Sequence, residues 1–296
     1  MSPPITLQCP LPASALRFDA MSHTAGLSLL EETRFSLLSE LPDIAAEDLL
    51  GKGMSAQIAL RDGSLRHIHG LVTRFGIGRS QGRYFGYEAT VRPWLWFLTR
   101  TTDCRIFQHQ TVQQIVEAVF ADHAGIAKFE FRLSRAYRDR PYTVQYRESD
   151  YNFIARLLED EGIYWYFEHS AGQQQLVLVD SVTAHPPMSQ AAGGLDSLPF
   201  YGNAGQVPPD TEYVGQWTFA RGVETGRTAL TSYDFERPST SLLADHSLAR
   251  AHSLSSYEQF DFLGDYTQRG DGAHLADVRL DEQQSRHEQI TGNSNA

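Results

Sequence analysis

The chain has 296 residues, of which 41% are hydrophobic and 21% are charged, and its 25 lysines and arginines against 36 aspartates and glutamates give a net charge of −11. This composition is typical of a folded globular protein, and the acidic balance argues against a general nucleic-acid-binding surface. No apolar run approaches the roughly 20 residues that a membrane-spanning helix needs, so we expect no stable membrane insertion.

The N-terminus and the cysteines bear on where the chain folds. The first residues lack a basic region followed by an apolar core, so we expect no signal peptide. The two cysteines, Cys9 and Cys104, lie far apart in the sequence and form no CxxC motif. This pattern favours folding in a reducing cytoplasm, and any later export would then bypass the signal-dependent route.

Residues 1–100 are predicted to form a β-domain. Short apolar or alternating runs are separated by glycine, proline and aspartate turns, a spacing typical of a sandwich or barrel. Residues 44–50, which end at Gly51, are predicted to form a short helical turn between strands. The predicted strands cover 16–18, 27–30, 34–38, 55–60, 66–75, 82–92 and 94–99.

In residues 101–185 the spacing of the hydrophobic residues changes, and it predicts a compact α+β domain. Thr111 is placed to cap a helix over 112–123, whose apolar residues share one face and which ends at Gly125. A short strand follows at 129–131. The next stretch, 142–180, predicts a strand, a helix, a second strand, a turn at 170–172 and a third strand at 176–179.

The residues at both ends of this second helix are typical of helix boundaries. Ser149 is a good N-cap, and Asp150 adds negative charge to the first turn. Phe153 lies on the apolar face of the helix, and Gly162 suits the left-handed position after its end. An aromatic strand follows that contains Tyr164, Trp165 and Tyr166.

The C-terminal part is predicted to open a further β-domain. Residues 186–210 are rich in proline, glycine and alanine and are typical of a linker. Strands are predicted at 213–221 and 227–235, and a helix at 272–287. Residues 211–296 would then form a second β-domain that the chain leaves incomplete.

Two patterns that could be mistaken for ligand sites favour plainer interpretations. The glycines at 76, 78 and 82 are followed by a strand, whereas a dinucleotide site needs a helix there, so a β-hairpin turn is favoured. His67 and His69 share one face of a strand, but no third potential ligand lies at a spacing typical of a metal site. A surface pair or a hydrogen-bonded core pair is therefore favoured.

The acids Glu159, Asp160 and Glu161 are the one catalytic possibility, because paired carboxylates near aromatic residues are typical of glycosidases. Consecutive helical residues point in different directions, so at most two of the three could converge. Acids at a helix C-terminus are also unfavourable, which indicates contacts with Arg135, Arg138 or Arg140. No nucleophile motif is visible. The sequence therefore predicts no catalytic, cofactor-binding or metal-binding residues.

Several segments resemble the VgrG family, the spike proteins of bacterial type VI secretion, in the same order along the chain. The segment YRESDYNFIARLLEDEGIYWYFEH at 146–169 is the most characteristic of them. The others are LPDIAAEDLLGK, HIHGLVTRF, VRPWLWFL, CRIFQHQTVQQIV, TSYDFERP and FLGDYTQRGDGAHLADVRLDEQQSRH. On this resemblance the structural signature residues are Ser149, Asp150, Tyr151, Phe153, Gly162, Tyr164, Trp165, Tyr166, Tyr233 and Phe235.

The resemblance implies a mainly β fold similar to the hub of contractile phage tails. Two related β-barrel domains per chain, the second incomplete here, would flank the α+β domain and build a homotrimeric ring on a hexameric Hcp tube. It also implies possible effector or adaptor cargo, no enzyme activity, and a cytoplasmic stage before export through the type VI apparatus. A phage or phage-derived tail hub stays open as an alternative, and a cell-wall hydrolase as a less favoured one.

Overall fold

The computed structural model describes residues 5–60, 63–187, 197–202, 207–208 and 211–295. They belong to two compact units, Met1–Gly194 and Leu195–Ala296. Most of the predicted linker at 186–210 lies outside the described residues. The helices of the described part include none that is both long and apolar enough to cross a membrane.

The first unit opens with a six-stranded antiparallel sheet in the order β1-β4-β5-β6-β3-β2. The sheet curls so that its edge strands β1 and β2 lie near each other. Its apolar face buries a first core around Phe35, Leu37, Met54 and Tyr87. The strands are β1 Ile5–Gln8, β2 Arg17–Thr24, β3 Glu32–Ser39, β4 Gly53–Ala59, β5 Leu65–Ile77 and β6 Phe85–Arg92, with a 3-10 turn at Ala46–Asp48.

A second core in the same unit is built by helices against a three-stranded sheet. Helices α1 and α2 pack there with the apolar side of strands β10 and β11. The sheet has the order β10-β11-β8, and β7 pairs separately with β9 as a two-stranded ribbon. The elements are β7 Thr102–Gln110, α1 Val112–Ala121, β8 Phe129–Arg132, β9 Arg140–Ser149, α2 Asp150–Asp160, β10 Tyr164–Ser170 and β11 Gln173–Val179.

The predicted starts of α1 and α2 and the glycine turn after α2 are confirmed, whereas α1 ends at Ala121 rather than at residue 123, and the helix predicted over 272–287 covers Arg269–Gln284. Thr111 forms a capping box with Gln114 at the start of α1. The Ser149 hydroxyl accepts the Asn152 N–H over 3.2 Å at the start of α2. Gly162 takes a positive φ of 71° just after α2, a conformation that favours glycine.

Two predicted strands are wrong. Residues 94–99 form a 3-10 helix, Trp94–Thr99, in which Trp94, Leu95 and Leu98 are buried in the second core. Their apolar run reflects burial rather than a strand period. Residues 27–30 form a turn with Leu27 and Leu29 exposed. Strand β7 was missed because its polar residues alternate weakly.

The second unit contains a three-stranded sheet, a ribbon and a helix. The sheet has the order β14-β13-β15, and β12 pairs with β16. Helix α3 packs on β13 and β14 through Leu275 and Ala276, which meet Leu230, Leu242 and Tyr266. The elements are β12 Val214–Arg221, β13 Arg227–Thr231, β14 Ala244–Ser247, β15 Glu258–Phe262, α3 Arg269–Gln284 and β16 Glu288–Ser294.

The prediction of a mainly β chain that carries an α+β part is confirmed by these elements. The predicted strand over 227–235 ends earlier, at Thr231. Strand β16 was missed because its residues are polar apart from Ile290 and every one of them is exposed. That the second unit begins a second barrel stays a prediction.

Candidate functional site

The acids at the end of α2 are held by arginines, as predicted. The Arg140 guanidinium contacts Glu161 at 2.6 Å and Asp160 at 2.5 Å. Arg138 lies 3.7 Å from the same Glu161 carboxylate. Glu159 is exposed on the helix surface. The three carboxyl groups therefore do not converge, and the two that lie together are both bound by one guanidinium.

A second carboxylate of α2 has a role that the sequence did not reveal. Asp150 is buried and accepts hydrogen bonds from Thr101 Oγ1 at 2.8 Å and from Gln145 Nε2 at 2.7 Å. Arg105 and His123 each approach the same carboxylate to 3.4 Å. Burial alone would raise the pKa of Asp150, but these hydrogen bonds and the Arg105 charge hold that pKa below its ordinary value.

Asp150 thus connects the start of α2 to Thr101, Arg105 and His123, which lie 49, 45 and 27 positions away in the sequence. From sequence, its position in the first helical turn predicted only a favourable interaction with the helix dipole. No spacing rule links it to Thr101 or Arg105. A buried carboxylate with this many donors is a structural centre, because its removal would leave several donors without an acceptor.

The aromatic signature residues of the second core divide into buried and polar-tipped groups. Trp165 is 5% exposed and meets the edge of Tyr151 at a ring distance of 6.3 Å. Phe153 stacks on Phe107 at 5.6 Å. The hydroxyls on the other side of β10 make polar contacts, Tyr164 with His185 at 2.9 Å and Tyr166 with Arg132 at 3.1 Å.

The remaining signature residues lie elsewhere. Tyr233 and Phe235 follow the end of β13 and are 56% and 80% exposed. Asp234 between them is buried, and its Oδ2 accepts a hydrogen bond from Arg237 Nε over 2.9 Å. This loop therefore turns its acid inward and its aromatic rings outward.

A polar cluster joins the two cores of the first unit. His169 at the end of β10 donates from Nε2 to Glu31 at 2.8 Å, and its Nδ1 accepts the backbone N–H of His69 in β5 at 3.0 Å. His69 in turn bonds Ser55 at 2.7 Å. His23, which bonds Thr33 at 2.9 Å, completes the cluster. We refer to His23, Glu31, His69 and His169 as the histidine clasp.

The clasp brings potential metal ligands together, since ligand atoms of His23, Glu31 and His169 lie within 4.8 Å of one another. The hydrogen bonds argue against metal ligation in this arrangement. Because the His169 Nδ1 lone pair accepts the His69 N–H, the neutral ring carries its proton on Nε2 and has no lone pair to give a metal. The clasp is better explained as a hydrogen-bonded connection between β5 and β10.

The other predicted sites have plain outcomes. The glycine segment at 76–82 is a β-hairpin between β5 and β6, closed by the Gln81–Tyr84 bridge, as predicted. His67 Nδ1 is buried without a hydrogen-bond partner among the described residues.

A groove of about 480 Å³ crosses the outer face of the six-stranded sheet. Two of the arginines that line it, Arg34 and Arg92, are both paired with Glu32.

Two strand pairs present exposed apolar side chains on one face. On the β7–β9 ribbon, Ile106 pairs with Val144 and Cys104 with Tyr146, and all four side chains are exposed. We call this surface, with Gln108 and Tyr142, the ribbon face. On β15, Phe260 and Phe262 are 59% and 58% exposed, and we call this surface the β15 face. Apolar surfaces of this kind mark sites of protein contact.

Comparison with known proteins agrees with this picture of a contact-forming β protein. The family model of the phage tail baseplate hub matches residues 24–296. The chain is 39% identical to the type VI secretion system spike protein VgrG1b of Pseudomonas aeruginosa, over 97% of this chain and 38% of that protein. It is also 39% identical to VgrG1a of the same organism, over 97% of this chain and 44% of that protein.

The fold agrees with a solved structure as well. The c3393 protein of Escherichia coli, described as a component of the type VI secretion system, superposes with a TM-score of 0.68 at 21% identity, over 98% of this chain and 63% of that one. The chain therefore belongs to the phage tail baseplate hub family. Within that family its resemblance to the VgrG spike proteins is confirmed, and it spans about two fifths of the length of the VgrG relatives named above.

Proposed function

We propose that the chain forms the hub region of a type VI secretion spike, assembled as a homotrimeric ring that caps an Hcp tube. The observation that carries this proposal is the 39% identity to VgrG spike proteins over 97% of the chain. The hub-like fold and the exposed apolar faces support it, since a ring protomer must present such surfaces to its neighbours.

The domain plan is part of the same proposal. A first barrel over 1–100, an α+β domain over 101–185, a linker over 186–210 and the start of a second barrel over 211–296 would give two barrels per chain. Three copies would then present six similar domains around the ring. In this role the signature residues of α2 and β10 hold the α+β domain together, and the exposed Tyr233 and Phe235 of the second unit are available for contact with a partner.

The role proposed here is assembly rather than catalysis. The paired acids Asp160 and Glu161 support this, because the Arg140 guanidinium binds both carboxylates in a structural ion pair. A cell-wall hydrolase would need these acids. Release of peptidoglycan fragments by the purified chain, lost on Glu161→Gln, would overturn the assembly-only role.

The cellular route follows from the assembly role. The chain would fold in the cytoplasm, join the tip of the device, and leave through the type VI apparatus, with effector or adaptor proteins as possible cargo. Deleting the gene in a strain without a second spike gene should abolish Hcp release into the medium. Hcp release at the wild-type level in that strain would contradict the proposal.

A phage or phage-derived tail hub is the second candidate, because the matching family is the phage tail baseplate hub. The two candidates differ in their genetic surroundings. Neighbouring genes for a sheath-recycling ATPase and a membrane complex would support the secretion spike, whereas capsid and terminase genes would support the phage tail.

A further inference from the structure

The first unit contains two cores, each with its own set of buried apolar residues. Strand β6 of the six-stranded sheet ends at Arg92, and the 3-10 helix that begins at Trp94 is buried in the second core. Pro93 lies between them and is the point at which the chain passes from one core to the other. The relative position of the two cores therefore depends on the non-covalent contacts between them, which we call the seam.

The seam has an apolar part and a polar part. In the apolar part, Leu30 before β3 and Leu71 of β5 pack against the second core. Beside them the Ser28 N–H donates to the Trp165 carbonyl oxygen at 2.8 Å. In the polar part, the histidine clasp connects β5 to β10. The apolar contacts do not respond to pH, so any pH dependence of the seam lies in the clasp.

His169 lies in the seam next to a backbone group that the six-stranded sheet leaves free. The pairing of β5 with β6 begins at Leu71 and Arg92, so His69 lies beyond the last residue of β6. His169 Nδ1 accepts the His69 N–H at 3.0 Å, and the Nε2–H of the same ring donates to the buried Glu31 carboxylate at 2.8 Å. An amide N–H can only donate, so the Nδ1 atom that accepts it carries no proton.

The three histidines of the clasp respond differently to a proton. His23 bonds the Thr33 hydroxyl at 2.9 Å, and His69 bonds the Ser55 hydroxyl at 2.7 Å. A hydroxyl both donates and accepts, so these two hydrogen bonds can persist after the ring is protonated. The bond from the His69 N–H to His169 cannot persist, because a protonated Nδ1 is a second donor. The hydrogen bond that protonation must break is therefore the one between β5 and β10.

The residues that can carry charge on the elements around His169 are mostly basic. They are His23 of β2, Glu31 before β3, Arg66, His67 and His69 of β5, Lys128 before β8 and Glu168 of β10. Strand β11 contributes none. Glu168 is bound to Arg132 at 2.6 Å, which leaves the buried Glu31 as the acid of the clasp. Protonation of the clasp histidines gathers positive charge around this single carboxylate, and the repulsion between these charges opposes the closed seam.

We propose that the histidine clasp is an acid-sensitive joint, which holds the two cores of the first unit together at neutral pH and releases them in a mildly acidic medium while each core stays folded. His169 decides the state of the joint, because it gives up its β5 partner when it binds a proton. Pro93 then keeps the released cores connected. This inference goes beyond the proposed assembly and does not depend on it, since both cores belong to one chain.

Amide hydrogen exchange of the whole chain, followed by NMR, tests the joint. The amides of His69 and Ser28 report on the seam, and the hydrogen-bonded amides of Val72 and Ile163 report on the two cores. A histidine with an ordinary pKa of about 6.5 that must leave its partner to bind a proton raises an opening equilibrium about tenfold from pH 7.5 to pH 5.5. After correction for intrinsic exchange, the seam amides should lose protection by at least this factor. At pH 5.5 they should also exchange well before the core amides, which become free only when a core unfolds.

The comparison of seam and core amides within the wild-type chain needs no variant. Seam amides that are as well protected as the core amides at pH 5.5 would overturn the joint, and so would seam protection that does not change with pH.

A matched pair of variants tests the role of His169. In His169→Asn the amide oxygen can still accept the His69 N–H but binds no proton in this pH range. The fall in seam protection should therefore shrink by about tenfold relative to the wild type. His109→Asn is the control, at an exposed histidine whose positive φ of 50° suits asparagine, and it should behave as the wild type does. A fall in His169→Asn equal to that of the wild type would overturn the assignment to His169.

Discussion

The Nε2–H of His169 donates to a carboxylate oxygen of Glu31 over 2.8 Å, although the two residues are 138 positions apart in the sequence. Glu31 is buried, and the other nitrogen of the same ring accepts a backbone N–H from β5. A single imidazole therefore fixes the α+β core against the barrel sheet by using both of its nitrogens.

The clasp should make the stability of the first unit depend on pH. Burial lowers the pKa of both His23 and His69 in the folded chain. The unfolded chain then binds more protons below pH about 6.5, so folding stability is full above that pH and is lost as the pH falls through the lowered pKa values. Thermal melts from pH 8 to pH 5 should show this decline.

Two variants separate the clasp from general acid sensitivity. His23→Gln should flatten the decline, while His246→Gln, at an exposed histidine of the second unit, should leave it unchanged. An identical decline in the His23→Gln protein would mean that other groups set the pH dependence.

Replacing Asp150 should destabilise the second core more than any surface acid does. Asp150→Asn keeps the shape but turns one acceptor into a donor, which then faces Arg105 and either Gln145 Nε2 or Thr101 Oγ1. The loss should be about 3–5 kcal/mol, the range for breaking a buried charged network. Urea melts measure it, with Asp103→Asn, at an exposed partner of Arg105, as a control that should change little.

Trp165→Ala should cost about 3–5 kcal/mol, because the ring is buried and its removal leaves a cavity. Trp165→Phe should cost clearly less, since the indole N–H has no hydrogen-bond partner among the described residues and none is lost. Denaturant midpoints of the two variants test the order. Equal losses would show that the indole N–H makes a contact with solvent or a partner.

Arg140→Met should destabilise the chain by about 3–5 kcal/mol, because it leaves the buried Glu161 carboxylate with less compensation. Glu159→Gln at the exposed neighbour should leave the melting temperature almost unchanged. If Arg140→Met is neutral, the acids at the end of α2 are solvated and their arginine contacts carry little energy.

Local chemistry made the caps and the turn at the ends of α2 predictable from sequence. Ser149 and Gly162 act within a few residues of the backbone groups that they satisfy, so their roles are visible in the sequence itself. The histidine clasp and the Asp150 network were not predictable, because their partners meet only after the cores have packed. The strand prediction for residues 94–99 failed for a related reason, because a buried apolar run lacks the periodicity that distinguishes a helix from a strand.

The parallel pairing of β8 with β11 constrains the order in which the chain can fold during synthesis. Strand β8 ends at Arg132, and its register partner for that residue is Val179. The residues of the β7–β9 ribbon and of α2 are synthesised before those of β11. During that interval β8 has no strand with which to pair. A nascent chain stalled before β11 should thus hold a formed ribbon beside a β8 that lacks its parallel partner, with the backbone edge of β8 open to chaperones and proteases.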